Sequence, residues 1–140
     1  MSLKYLLDTN VVSRPFRPDP PAALMEKLVG LAGQIGIATV VWHELTYGVS
    51  KMEAGRRKSA LSRYLNEVVL PGYPQVPYDQ AAAHWHGVER ARLRRAGRPV
   101  PLLDGQVAAI AVANSLTLVT NNTRDFESFK GLELEDWLTP

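Results

Sequence analysis

Five side chains of this chain combine the types and positions needed for metal-assisted chemistry. Asp8 follows the apolar run Leu3 to Leu7, and Glu44 follows the β-branched stretch Ile35 to Val41. Asp104 opens an Ala-rich apolar segment, and Asn122 and Asp125 follow the run Leu116 to Thr120. Three or more carboxylates brought together repel one another, and one or more takes up a proton unless a cation compensates. The chain has no cysteine and 3 histidines. The ligands on offer are therefore hard oxygens, which suit Mg²⁺ or Mn²⁺ rather than zinc. A divalent ion held in this way makes a nucleophile of water and offsets charge on a phosphoryl group. That is phosphodiester hydrolysis chemistry.

The elements that must position these groups read as alternating strands and helices. Leu3 to Leu7 is a short apolar strand, and Pro15, Pro18, Pro20 and Pro21 mark a loop. Ala22 to Leu31 has helical apolar spacing and Gly33 is its stop. Ile35 to Val41 is a second strand, and a helix begins somewhere between Thr39 and Val49. Arg56 to Val69 reads as a basic helix with an apolar stripe at Leu61, Tyr64, Leu65 and Val68. A short strand is expected at Gln75–Val76. Asp79 is placed to N-cap a helix from Gln80 to Ala96. Asp104 is expected to cap the helix Gln106 to Asn114. A strand from Leu116 to Thr120, a polar turn from Asn121 to Phe126 and a short strand at Leu132 to Leu134 complete the pattern. Trp137 is expected to pack the tail onto the core.

This alternation predicts an α/β fold, a three-layer α/β/α sandwich around a mostly parallel central sheet. Ligands in such sheets bind beyond the carboxyl ends of the strands. Asp8, Glu44, Asp104, Asn122 and Asp125 are all expected at that edge. Each also has an ordinary structural use. Asp8 and Asp104 can be N-caps, each worth about 0.5–2 kcal/mol. Glu44 can complement a helix dipole, and Asn122 and Asp125 are common turn residues.

Length and composition set the frame. The chain has 140 residues, 46% hydrophobic and 21% charged. That excludes a wholly disordered chain and suits one domain over 1–140. The absence of cysteine excludes disulfide scaffolds, iron–sulfur clusters and cysteine nucleophiles. No signal-like segment and no apolar run of membrane length is present, so a cytoplasmic protein with no membrane contact is expected.

Four stretches carry a family resemblance: Leu6-Leu7-Asp8-Thr9-Asn10-Val11-Val12-Ser13; Trp42-His43-Glu44-Leu45-Thr46-Tyr47-Gly48-Val49; Leu103-Asp104-Gly105-Gln106-Val107-Ala108-Ala109-Ile110-Ala111; and Leu118-Val119-Thr120-Asn121-Asn122-Thr123-Arg124-Asp125-Phe126. In this order and spacing the chain resembles PIN-domain proteins of the VapC type, the toxin half of toxin–antitoxin pairs. The resemblance spans essentially the whole chain. It implies an Mg²⁺-dependent (or Mn²⁺-dependent) endoribonuclease in which Asp8, Glu44 and Asp104 hold the metal. A fourth family position, Asp in some members and Asn in others, falls on Asn122, with Asp125 the nearest carboxylate. Thr9, Asn10 and Thr120 are implied to orient the ligands. The implied reaction is in-line attack by metal-activated water on an RNA phosphodiester. The implied partners are RNA, a cognate VapB-type antitoxin and a second copy in a homodimer.

Net charge is only +2, yet the charges are separated. Arg90, Arg92, Arg94, Arg95 and Arg98 face only Glu89 within 84–98, and Lys51, Arg56, Arg57, Lys58 and Arg63 face only Glu53 within 51–63. Residues 125–136 are acidic. Such runs can be solvated helix faces, phosphate contacts or contacts to an acidic antitoxin segment. Arg90, Arg94, Arg95 and Arg98 are the candidates for RNA or antitoxin contact. His84 and His86 are two apart, on different faces of a helix, and make a poor metal pair. Trp85 with Val88 and Leu93 reads as core or interface. Two other readings compete. One is a catalytically inactive module of the same fold that only binds RNA or a partner. The other is a haloacid dehalogenase-type phosphotransferase, with Asp8 as nucleophile. Asn10 stands where that second class needs an acid.

Overall fold

The computed structural model describes residues 2–139; the outer limits of the predicted unit, Met1 and Pro140, lie outside the described residues. Five strands form one sheet in the order β3-β2-β1-β4-β5, and every pairing is parallel. They are β1 (Tyr5–Leu7), β2 (Ile35–Ala38), β3 (Gln75–Val76), β4 (Thr117–Val119) and β5 (Glu133–Glu135). Successive strand residues point to opposite faces, and Leu6 and Leu7 are both 0% exposed. Both faces of the sheet are therefore covered, as parallel sheets require. The layers above and below are helical. They comprise α1 (Thr9–Ser13), α2 (Ala22–Gly30), α3 (Thr39–Ser50), α4 (Arg56–Tyr64), α5 (Leu70–Gly72), α6 (Gln80–Arg95), α7 (Leu102–Ala113) and α8 (Thr123–Phe126). The predicted α/β sandwich is the observed architecture, with a sheet that is parallel throughout.

Several element boundaries differ from the sequence reading, each for a packing reason. The second strand stops at Ala38, and α3 takes the β-branched residues Thr39, Val40 and Val41. Val41 is fully buried there, so burial outweighs the weak helix propensity of valine. The long basic helix is not uniform. From Leu65 to Val69 it widens into a π-helical segment. The wider turn moves the inward face along by one residue, so Val69 is buried and Val68, expected in the stripe, is exposed. Tyr64 anchors α4 to α1 by donating to the Val12 carbonyl at 2.7 Å.

Asp104 does not cap a helix starting at Gln106. The helix begins at Leu102 with Pro101 at the cap, and Asp104 lies in the first turn. Its charge there still complements the helix dipole. The expected polar turn after β4 contains the short helix α8, which buries Phe126. Asp79 caps α6 as expected, accepting from the Ala82 N–H at 3.0 Å. Trp137 is buried edge-on against Tyr5, with ring centroids 5.1 Å apart. Leu93 is core, Trp85 packs against Phe129, and Val88 is exposed.

Candidate active site

In this sheet the chain steps outward from β1 to β2 and β3, then returns to place β4 on the other side of β1. The crevice beyond the carboxyl ends of β1 and β4 is thus the topological switch point, where open parallel sheets bind ligands. Register sets what meets there. Leu7 lies opposite Val119, and the Asp8 N–H continues the ladder to the Val119 carbonyl at 2.9 Å. Asp8 and Thr120 therefore emerge side by side.

Two threonine hydroxyls fix the carboxylates. Thr120 Oγ1 donates to Asp8 Oδ2 at 2.9 Å and accepts from the Asn122 N–H at 3.0 Å. The Thr9 N–H donates to Asp8 Oδ1 at 2.8 Å, while Thr9 Oγ1 donates to Glu44 Oε1 at 2.6 Å. Thr9 thus ties the first carboxylate to the second, on α3. The Asp8 carboxylate also caps α1, the structural use open to it from sequence. The side chains of Thr9 and Thr120 both hydrogen-bond to these carboxylates. Asn10 does not: it is exposed and its side chain bonds to no carboxylate among the described residues.

Burial pushes Asp104 up from 3.8 to about 6, helped by the charges of Asp8, Asp125 and Glu44. Asp8 is also raised, by burial first, against the lowering hydrogen bonds from Thr9 and Thr120. Both shifts run in the direction expected of neighbouring carboxylates, with burial the larger cause. Asp125 belongs to this field, since its charge acts on both Asp8 and Asp104. Asn122 contributes through its backbone: its N–H holds Thr120, and its side chain is exposed.

A metal's fit to this set rests on donor chemistry. All the candidate ligands are carboxylate oxygens, as hard divalent cations prefer, and their mutual repulsion is what a cation would relieve. Among the described residues, no three His, Asp or Glu side chains are drawn together into a ready-made cage.

Two hollows flank the carboxylates. One, of about 230 Å³, is mainly apolar and lined by Thr9, Ser13, Glu44, Leu45, Leu61 and Leu65 among others. The other, of about 330 Å³, is lined by Arg98, Pro101, Asp104, Arg124, Asp125 and Ser128 among others.

The predicted basic contacts are unequal. Arg90, Arg94, Arg95 and Arg98 are all exposed, and only Arg98 reaches the cleft beside Asp104. Arg92 is spent on structure. Its guanidinium forks onto buried Glu89 at 2.6 and 2.7 Å and donates to the Ser128 carbonyl at 2.9 Å. The sequence reading missed Arg124, although it directly precedes Asp125. It also missed a packing relation behind Asp104. The buried His86 ring occupies the space where a Cβ on Gly105 would stand, and His86 Nδ1 meets the Tyr78 hydroxyl at 2.8 Å. A glycine inside the helical stretch next to Asp104 was the available signal for that close approach.

The PIN-domain model matches residues 5–132. The chain belongs to the PIN-domain family. This PIN domain is 37% identical to the tRNA(fMet)-specific endonuclease VapC of Shigella flexneri over 139 residues, covering 96% of this chain and 98% of that protein. It is 32% identical to the toxin FitB of Neisseria gonorrhoeae, covering 86% and 89% of the two chains. The crystal structure of DNA-bound VapBC from Salmonella typhimurium superposes with a TM-score of 0.82 at 32% identity, covering 96% of this chain and 98% of that one. The resemblance read from the four motifs is thereby borne out. Among the described residues no helix is long and apolar enough to cross a membrane.

Proposed function

We propose that this PIN domain is an Mg²⁺- or Mn²⁺-dependent endoribonuclease acting as the toxin of a VapBC-type pair. The observation that carries the reading is the convergence of Asp8, Glu44, Asp104 and Asp125 on the sheet's switch point, where the charges of the other three reach Asp104. Crowded carboxylates destabilise a fold, and a cation that phosphoryl chemistry also needs offsets the cost. The similarity to an endonuclease, to a toxin and to the VapBC complex supports the same reading.

Asp8, Glu44 and Asp104 would hold the metal, with Asp125 rather than the Asn122 side chain as the fourth carboxylate. When bound, a divalent cation lowers the pKa of water and offsets charge on the phosphoryl oxygens. The chain's own residues do the positioning. Thr120 Oγ1 and the Thr9 N–H each donate to one Asp8 oxygen and so fix the rotation of the carboxylate. Thr9 Oγ1 fixes the rotation of Glu44. Asp104 lines the cleft through which a phosphodiester would approach.

The expected partners are RNA, a VapB-type antitoxin and a second copy of the chain. Arg90, Arg94, Arg95 and Arg98 are assigned to contact with RNA or antitoxin.

The test is purified protein on total cellular RNA, with Mg²⁺ or with EDTA, beside Asp8→Ala and Asp104→Ala. Discrete Mg²⁺-dependent fragments lost in both variants, with unchanged circular dichroism, are expected. RNA bound but uncut under every condition would overturn the nuclease reading in favour of a binding module. Cleavage that persists in EDTA would overturn the metal assignment.

A further inference from the structure

We infer that Arg98 and Arg124 form a seat for a backbone phosphate of single-stranded RNA, in the cleft that opens onto Asp104. This deepens the nuclease reading and rests on it.

The cleft has a volume of about 330 Å³. That lies near the lower end of ligand sites, which run from roughly 300 to 1,000 Å³, and it is small for a folded element of another protein. Two separate parts of the chain supply its cations. Arg98 comes from the loop after α6, and Arg124 from α8. Asp104 and Asp125 line the same hollow. Even so, among the described residues neither guanidinium makes a salt bridge, and the one salt bridge among them is Arg92 to Glu89. Neither makes a side-chain hydrogen bond there either. Two arginines of this chain are occupied: Arg92 by Glu89 and the Ser128 carbonyl, Arg14 by the carbonyls of Pro18 and Asp19. Arg98 and Arg124 keep their forks free and exposed.

A polyanion approaching a cluster of carboxylates is repelled unless cations stand at the entrance. Guanidinium is the side chain suited to that work. Its planar fork matches phosphate oxygens in pairs, and its charge does not titrate away. An acidic peptide would meet Asp104 and Asp125 without a repeating anion to set against the two arginines. A nucleotide strand instead brings one phosphate per unit, so one can rest on the arginines while its neighbour faces the carboxylates. A single strand can follow such a hollow with its phosphates and bases splayed, as protein-bound RNA loops and ends do.

The experiment measures binding of a short fluorescein-labelled single-stranded oligoribonucleotide by anisotropy, in EDTA and in Ca²⁺, across a series of salt concentrations. The proteins are wild type, Arg98→Ala, Arg124→Ala, the double variant, Arg124→Lys and a control, Arg56→Ala/Arg63→Ala. Each single alanine variant is expected to weaken binding about tenfold at low salt and to flatten the log–log salt slope by about 0.7. Arg124→Lys is expected to keep the slope and recover part of the affinity, and the control is expected to bind as wild type. Thermal midpoints should not move, since both side chains are free at the surface. A double variant with wild-type affinity and slope would overturn the seat, as would a wild type that does not bind the oligonucleotide at low salt. So would a double variant that binds RNA normally but loses the cognate antitoxin, which would give the cleft to a protein partner. Wild type that binds through these arginines yet cuts nothing with Mg²⁺ would refute the nuclease reading and leave the seat standing.

Discussion

Thr120 Oγ1 stands 2.9 Å from Asp8 Oδ2 and donates its proton there, though 112 positions of sequence separate the two residues. The same hydroxyl accepts the Asn122 N–H. One buried oxygen therefore joins the ends of β1 and β4 and points a carboxylate into the crevice between them.

The Thr120→Val variant keeps the shape of the side chain and removes this bond. It leaves the Asn122 N–H without its acceptor, so a loss of about 1–3 kcal/mol in stability is expected by urea unfolding. Misorienting a metal ligand typically costs about 10–100-fold in affinity or activity. Cleavage should fall by that range, and Thr120→Ser should restore most of it. Equal cleavage by Val and wild type would show that the hydroxyl has no orienting role.

Thr9 gives a second, coupled case. Its hydroxyl holds Glu44 at 2.6 Å. Thr9→Val and Glu44→Gln should each lower cleavage, and the double variant should be little worse than the poorer single. Residues that act through one contact are not additive, with coupling of about 0.5–3 kcal/mol. A strictly additive double-mutant cycle in cleavage rate would separate the two residues.

The raised Asp104 makes stability depend on pH. Its carboxyl titrates near 3.8 when free of the fold and at about 6 within it. The folded state thus holds the proton more tightly, so this contribution to stability is full below pH ~4 and is lost as pH rises through ~6. The nominal difference is ~3 kcal/mol, and solvent screening in a half-open site reduces it to about 1 kcal/mol. In EDTA, the unfolding free energy should fall between pH 4 and pH 6 by about that amount from this group. Asp104→Asn should flatten the profile and be the more stable protein at pH 7. Mg²⁺ should stabilise wild type at pH 7 and do so much less at pH 5, because protons and the cation compete for the same oxygens. A Mg²⁺ effect of equal size at both values would disconnect the cation from Asp104.

Behind that carboxylate, α6 and α7 meet where His86 lies against Gly105. Gly105→Ala should be destabilising by about 1–3 kcal/mol, the usual cost of overpacking, because the added methyl meets the imidazole ring. The His86→Ala/Gly105→Ala pair should recover part of that loss, and urea unfolding reads both. No recovery would place the cost elsewhere in the helix.

Glu89 tests how α6 is fastened to the loop after α8. Its carboxylate takes two bonds from Arg92 and one from the Lys130 N–H at 2.7 Å. The Arg92 bond, aided by the Lys130 N–H, holds its pKa below the usual carboxylate range despite burial. Glu89→Ala would strand the Lys130 N–H and free the half-exposed Arg92, and should cost about 1–3 kcal/mol, as leaving a buried hydrogen-bonding group unsatisfied does. Loosening that loop should also lower cleavage, since Ser128 lines the cleft. Retained stability would show that water replaces the carboxylate.

The chemistry of the site was legible in the chain. Asp8, Glu44, Asp104 and Asp125 are oxygen ligands in a sequence without cysteine, each lies next to an apolar run, and runs alternating in strand and helix character imply a parallel sheet with one binding edge. Thr9 and Thr120 were named only through the family resemblance, which also named Asn10. Tertiary structure decided what depends on contacts between distant segments. It started α3 at Thr39 because burial of Val41 outweighs β-branched propensity. It widened the helix at Leu65 to bury Val69 in place of Val68. It set the Asp125 charge within reach of Asp8 and Asp104 and gave Asn122 a backbone bond to Thr120, although both residues are exposed. It also divided a uniform basic run into Arg92, consumed by Glu89, and Arg98, left free beside Arg124. Local sequence carries periodicity and donor type, which are properties of neighbours along the chain. Which arginine finds a carboxylate is a property of neighbours in space, and only the packed sheet and helices bring those together.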